Sequence, residues 1–155
     1  MEHIVKAEVS DASEILSLQK LAYLSEAELY GNYEIEPLKQ TVQEIEKAFE
    51  NSFILKYMDN GMIIGSVKAY ERDGTCYIGK LMVHPDYQNK GIGKKLMNEI
   101  ESKFEHVRYE LFTGSKSIKN ITFYERLGYR GFSEKKLDRE ETIFIFMEKQ
   151  VEMRP

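Results

Sequence analysis

The run Gln88-Asn89-Lys90-Gly91-Ile92-Gly93-Lys94-Lys95 brings two glycines, three lysines and two side-chain amides together. It follows the apolar run Leu81-Met82-Val83 and the turn-forming His84-Pro85. A strand, a glycine-bearing turn and a helix in that order leave the first helical N–H groups without internal partners, at the positive end of the helix dipole. Such a turn binds phosphate. Gly91 and Gly93 remove side chains that would keep a pyrophosphate from the backbone, while Lys90, Lys94 and Lys95 add positive charge nearby. Taken alone the glycines serve equally well as a plain turn. A dinucleotide fold fits poorly, because Lys94-Lys95 follows Gly93 with no further glycine at the expected place.

Hydrophobic patterning supplies the elements that must hold this turn. His3 to Val9 alternates like a strand. Asp11 and Glu14 then form a capping box for a helix that carries Ile15, Leu18, Leu21, Ala22 and Leu29 on one face and stops at Gly31. Pro37 breaks the next stretch, and Thr41 with Glu44 caps a second helix carrying Val42, Ile45 and Phe49. Phe53 to Met58, Met62 to Arg72 and Thr75 to Val83 read as strands joined by hairpins at Asn60-Gly61 and Asp73-Gly74. After Pro85 the pattern turns helical through Ile92, Leu96 and Ile100. Val107 to Thr113 is a strand, Ile121 to Leu127 a short helix ended by Gly128, and Tyr129 to Leu137 with Thr142 to Glu148 a final strand pair. Gly79 predicts a bulge or a close backbone approach. A meander followed by βαβ-like units requires a mixed sheet, so the fold class is α+β, or α/β by a looser definition.

A chain of 155 residues fits one domain, here residues 1–155, with 42% hydrophobic and 31% charged residues to build a core and keep it soluble. Cys76 is the single cysteine, which excludes an intrachain disulfide framework and a cysteine-rich zinc site; no metal is expected, and a reducing cytoplasm fits best. The opening MEHIVKAEV lacks the basic segment and long apolar run of an export signal. Ile143 to Met147 is the longest apolar run, far short of the roughly 18 residues of a membrane span. A net charge of −4 without a basic tract argues against a general nucleic-acid binder.

Gln88-x-x-Gly91-x-Gly93 after a strand ending Leu81-x-Val83-x-Pro85 resembles motif A of the GNAT superfamily of N-acetyltransferases, and Asn120-Ile-Thr-Phe-Tyr124-Glu-Arg-Leu-Gly128-Tyr129 resembles its motif B. The element order over nearly the whole chain is similar as well. The resemblance implies a mostly antiparallel sheet of roughly six to seven strands flanked by about four helices, with acetyl-CoA as co-substrate. It implies that Gln88, Asn89, Lys90, Gly91, Ile92, Gly93 and Lys94 hold the pyrophosphate. Leu81, Met82 and Val83 would pair through their main chain with the pantetheine arm and polarise the thioester carbonyl. Asn120 and Ser117 are alternative pantetheine contacts, since many relatives carry their asparagine where this chain has Ser117.

Aminolysis of a thioester needs a neutral amine, a polarised carbonyl and a protonated leaving sulfur. Tyr124 is the candidate general acid, because a phenol with a pKa near 10 is protonated at neutral pH; the bland alternative is an aromatic on the buried face of a short helix. Glu110 resembles a glutamate that some relatives use as general base, with His84, Glu71 and bound water as alternatives. Acceptor choice should lie in the first two helices and their connection, where Tyr23, Glu26, Glu28, Tyr30, Tyr33, Glu34 and Glu36 mix carboxylates with aromatics and suit a small cationic amine. The expected activity is acetyl transfer to a primary amine of a small molecule. The competing classes are a protein lysine or N-terminal acetyltransferase, a non-catalytic acyl-CoA sensor and a plain interaction domain. The last strand has apolar residues on both faces, which a homodimer contact or the core would cover.

Overall fold

The computed structural model describes residues 3–105, 107–137 and 142–150, so the ends of the expected domain over residues 1–155 lie outside the described residues. Its strands are β1 His3–Lys6, β2 Phe53–Asp59, β3 Met62–Arg72, β4 Thr75–Val83, β5 Arg108–Gly114, β6 Arg130–Lys136 and β7 Ile143–Lys149. They form one sheet in the order β1-β2-β3-β4-β5-β7-β6. Every neighbouring pair is antiparallel except β4 and β5, which are parallel. This is the mixed, mostly antiparallel α+β sheet expected. The helices are α1 Ala12–Ala22, α2 Leu24–Tyr30, α3 Glu36–Lys39, α4 Val42–Ala48, α5 Ile92–Ser102 and α6 Ile118–Arg126.

Turn chemistry sets the meander. Asn60 and Gly61 (φ 51° and 77°) and Asp73 and Gly74 (φ 51° and 82°) take the left-handed conformations that tight hairpins require. Both faces of this half of the sheet are covered, which is why Ile63 to Val67 is buried without alternation. On one face α5 lays Ile92, Leu96, Met97 and Ile100 onto Leu55, Ile64, Val67 and Ile78. On the other face Ile15, Leu18 and Ile45 of α1 and α4 meet Ile54, Ile63 and Met82. Gly65 lets α5 approach closely, since an added Cβ would lie 2.9 Å from Leu96 Cδ1.

The N-terminal third departs from the patterning in three places. Asp11 accepts a hydrogen bond from Glu8 N–H at 2.8 Å and closes a 3-10 turn over Val9–Asp11, so β1 ends at Lys6 and the expected Asp11–Glu14 box does not form. Glu14 instead accepts from Ile63 N–H at 2.9 Å, tying α1 to the sheet. The long first helix is interrupted at Tyr23 (φ −90°, ψ 0°), so Leu29 falls on a separate helix, and Leu21 and Leu29 are 44% and 48% exposed. Pro37 starts α3 instead of merely breaking the chain, because its missing N–H costs nothing in a first turn. The reciprocal Thr41–Glu44 box does form, with bonds of 3.0 and 3.2 Å.

The C-terminal half is joined to α5 through Glu101, which accepts from Tyr129 Oη and Lys149 Nζ at 2.8 Å each. The final strand lies inside the sheet between β5 and β6. Its Met147 and Ile145 join the α5-side core. Phe144 and Phe146 face the other way, each 5.2 Å from the Phe112 ring.

Candidate active-site cleft

β4 and β5 pair only at Thr75/Arg108, Cys76/Tyr109 and Tyr77/Glu110. Beyond Tyr77 they diverge, as expected for a strand that admits a ligand. On the opposite edge of β4, Ser66 faces Met82 and Lys68 faces Gly79, so Lys80 and Leu81 together oppose the single residue Val67. The bulge expected at Gly79 thus falls on the next residue, and Lys80 (φ 52°) takes the left-handed conformation. That conformation costs an ordinary side chain about 1–2 kcal/mol. Lys80 is held in it by an ion pair with Glu36 and by the Tyr23 ring 5.8 Å away. The bulge also resets the alternation: Leu81 and Val83 pack toward α5, and Met82 toward α1. A cleft of about 1570 Å³ opens between the strands. Ordinary small-ligand pockets occupy about 300–1,000 Å³, so it has room for a large ligand and a second molecule together.

At one end of the cleft stands the turn before α5. Asn89 and Gly91 have φ of 64° and 80°, and Gly91 caps α5. Lys95 N–H donates to Gly91 O at 3.1 Å, which leaves the amides of Ile92, Gly93 and Lys94 ahead of the first intrahelical donor. The two glycines serve different ends. A Cβ on Gly91 would meet nothing within 4 Å, so its need is conformational; one on Gly93 would lie 3.3 Å from Phe123 Cζ, so its need is the close approach of α6. Gln88, Asn89, Gly91, Ile92, Gly93 and Lys94 line the cleft. Lys90, also expected to hold the pyrophosphate, is not part of that lining, and its ammonium sits 5.3 Å over the Tyr87 ring.

One wall is α6, where Ser117, Asn120 and Tyr124 all line the cleft together with Leu81, Met82 and Val83 of β4. Ser117 Oγ and Asn120 Nδ2 both donate to the Glu26 carboxylate of α2, at 2.7 and 3.1 Å. Asn120 also reaches Thr113 Oγ1 at 3.4 Å. The two residues that the sequence leaves as alternatives are therefore held side by side by one carboxylate. Tyr124 packs edge-on against Phe123 and Tyr129 with ring centroids 5.2 and 6.0 Å apart. Burial, and then the charge of Glu26, push its phenol above the usual range, so it stays protonated.

The α2 side of the cleft and the segment after it hold the residues expected to choose an acceptor, and most have structural partners. Tyr30 Oη accepts from Lys116 N–H at 2.8 Å and lies where a Cβ on Gly114 would be, stitching α2 to the end of β5. Glu36 pairs with Lys80, and Glu34 with Lys39 at 3.7 Å. Tyr33 is 59% exposed and, with Glu28 and Glu34, lies outside the cleft lining. Tyr23 does line it, with its phenol pushed up by burial and then by Tyr124, Glu26 and Glu36. Among the base candidates, Glu110 lines the cleft but binds Arg108 at 2.8 Å. Glu71 and His84 are not part of the lining, and His84 Nδ1 accepts from Asp86 N–H at 3.1 Å.

Several lining residues were not singled out from sequence: Lys68, Tyr70, Tyr77, Phe112 and Phe146. A lysine between the apolar Val67 and Ala69 was the available signal for Lys68, and alternate aromatics on β7 for the Phe112–Phe146 stack. The arrangement offers open helix N-terminal amides for an anion, strand edges for an extended amide-bearing arm, and a neutral phenol beside them.

Residues 24–151 match the family model described as an acetyltransferase (GNAT) domain. The chain belongs to the GNAT acetyltransferase family. Among curated relatives of this GNAT chain, UPF0157 protein YqkA of Bacillus subtilis is 29% identical over 84% of the chain, which spans only 38% of that protein. An uncharacterized N-acetyltransferase ycf52 of Pyropia yezoensis is 25% identical, with 69% of each chain covered. Solved structures share the fold. The ribosomal-protein-S18-alanine N-acetyltransferase of Escherichia coli superposes with a TM-score of 0.82 at 16% identity, over 100% of this chain and 97% of that one. The paia N-acetyltransferase of Thermoplasma acidophilum, solved with coenzyme A, gives 0.77 at 17% identity, over 97% and 99%.

Proposed function

We propose that this GNAT chain transfers the acetyl group of acetyl-CoA to the primary amine of a small molecule. The observation that carries the reading is the three-residue seam between β4 and β5, beyond which the cleft runs from the Gly91 turn past Tyr124 to the α1–α3 side. The residues present fit coenzyme A. The amides of Ile92, Gly93 and Lys94 suit its pyrophosphate, and the unpaired edges of Leu81 to Val83 suit its pantetheine amides. Acetyl-CoA supplies the activated acyl group.

Backbone N–H groups at the β4 bulge orient and polarise the thioester oxygen. The amine nitrogen bonds to the carbonyl carbon, the carbon–sulfur bond breaks, and the amine gives up its proton. Tyr124 Oη donates a proton to the departing sulfur. Ser117 and Asn120 position the pantetheine arm. With Glu110 bound to Arg108, deprotonation of the amine through cleft water requires no rearrangement of side chains. Release of free thiol on mixing the chain with acetyl-CoA and a panel of amines and peptides, with a mass gain of one acetyl group on the acceptor, tests the proposal. Acetyl-CoA binding without thiol release from any amine would refute it in favour of a sensor.

A further inference from the structure

The acceptor end of the cleft is not the acidic pocket that its sequence implies. Of its carboxylates, Glu36 is neutralised by Lys80 and Glu110 by Arg108, while Glu26 stays with Ser117 and Asn120 at the α6 side. Two lysines instead point their charge into this end. Lys80 is aimed there by the left-handed bulge, its side chain 19% exposed. Lys68 of β3 lies across Gly79, its Cε 4.0 Å from where a Cβ on that glycine would be. Among the described residues Lys68 Nζ has no hydrogen-bond or ion-pair partner, although Lys80 and Glu36 are its electrostatic neighbours. One carboxylate against two ammonium groups leaves a net positive charge in a half-buried place, where burial, and then the Lys80 charge, lower the Lys68 pKa and an added anion would offset both. The cleft therefore carries the Glu26 charge near Tyr124, while the surplus positive charge belongs to Lys68 and to Lys80, whose ammonium lies 5.8 Å from the Tyr23 ring.

Charge order of this kind matches a zwitterion. An ammonium group enters near Glu26 and Tyr124, where it must lose a proton to react, and an anionic group on the same molecule reaches Lys68. We propose that the acceptor is an amine that also bears a carboxylate, of the amino-acid class, and that Lys68 with Lys80 receives that carboxylate. The inference rests on the acetyl-transfer reading above. The neighbouring Phe112 and Phe146 rings, stacked 5.2 Å apart along the lining, give an apolar side chain a surface. An ammonium–carboxylate contact in a partly desolvated site is a charge-assisted hydrogen bond, and its loss corresponds to about a tenfold to hundredfold fall in affinity.

The test compares the common amino acids with their decarboxylated amines, phenylalanine against 2-phenylethylamine for example, by thiol release from acetyl-CoA. Carboxylated acceptors should be used at least about tenfold better in kcat/KM. Lys68→Met should raise KM for them by about tenfold to hundredfold and leave kcat, the decarboxylated amines and the acetyl-CoA Kd nearly unchanged. Lys68→Arg should keep most of the preference, and Lys68→Gln provides a second variant if Lys68→Met does not fold. Equal or better use of the decarboxylated amines, or a Lys68→Met effect equal on both classes, overturns the inference and leaves acetyl transfer standing. Failure of calorimetry to detect acetyl-CoA binding, or no thiol release with any amine, overturns both.

Discussion

Replacing Tyr124 by phenylalanine removes one oxygen from the cleft wall and nothing from its packing. The ring contacts to Phe123 and Tyr129, at 5.2 and 6.0 Å, survive in the variant. Melting temperature should therefore move by less than about 2 °C, the shift that a few tenths of a kcal/mol produces in a domain of this size. A positioned general acid contributes about 10²- to 10⁴-fold, or about 2.7–5.4 kcal/mol at 1.36 kcal/mol per tenfold. Burial and the Glu26 charge raise the Tyr124 pKa, which keeps the proton in place but makes the phenol a weaker acid. The effect belongs at the lower end of that range, a fall in kcat of about a hundredfold. Steady-state thiol release measures it, and calorimetry should return an unchanged acetyl-CoA Kd. The sign of the pH effect follows as well: a raised phenol pKa extends the active, protonated form upward, so kcat should not decline near the ordinary value of about 10 on account of this residue. A variant retaining kcat within twofold of the parent would refute the acid role.

Other perturbations separate conformation, contact and charge. Gly91→Ala, at φ 80° with open space around it, should cost about 1–2 kcal/mol in backbone strain and weaken acetyl-CoA binding by calorimetry about tenfold or more. Gly65→Ala places a Cβ 2.9 Å from Leu96 and should lower the melting temperature in a thermal scan through overpacking of about 1–3 kcal/mol. Glu148 is held below its usual 4.5, first by its hydrogen bond from Arg108, so its stabilisation is present above the unfolded pKa and is lost as pH falls through the lower folded value. Denaturant titrations at pH 3 to 7 should show a shallower acid loss in Arg108→Ala than in the parent; an identical slope would remove the ion pair from the account. Glu110→Gln should leave kcat for thiol release nearly intact, since that carboxylate is bound to Arg108; a fall of about 10²-fold or more would restore it as the base.

What the sequence disclosed well was whatever local chemistry decides. Asn60-Gly61, Asp73-Gly74 and the Thr41–Glu44 box acted as their residue types require, and the Gly91 turn opens a helix as the motif implies. Features settled by tertiary partners were hidden. Asp11 and Glu14 have capping-box spacing, yet the sheet offered them Lys56, at 2.9 Å, and the Ile63 amide. Gly79 looked like the bulge because glycine adopts positive φ at least cost, but Lys80 took that conformation because Glu36 and Tyr23 hold its side chain. Carboxylates at 26 and 36 read as part of an acidic pocket because pairing with residues distant in the chain does not show in spacing. The motif B residues were legible as a group, while the Glu26 clamp on Ser117 and Asn120 spans more than ninety positions and has no local signature.

The brevity of the β4–β5 seam bears on how this protein should respond to load. Two blocks of sheet meet through three rungs, and the Glu101 contacts to Tyr129 and Lys149 act as an outside brace. A guest that bonds to both open edges supplies the rungs the polypeptide lacks, and so becomes a temporary strand. Catalysis and mechanical integrity then draw on the same gap, and pulling the blocks apart should be hardest at the moment the cleft is full.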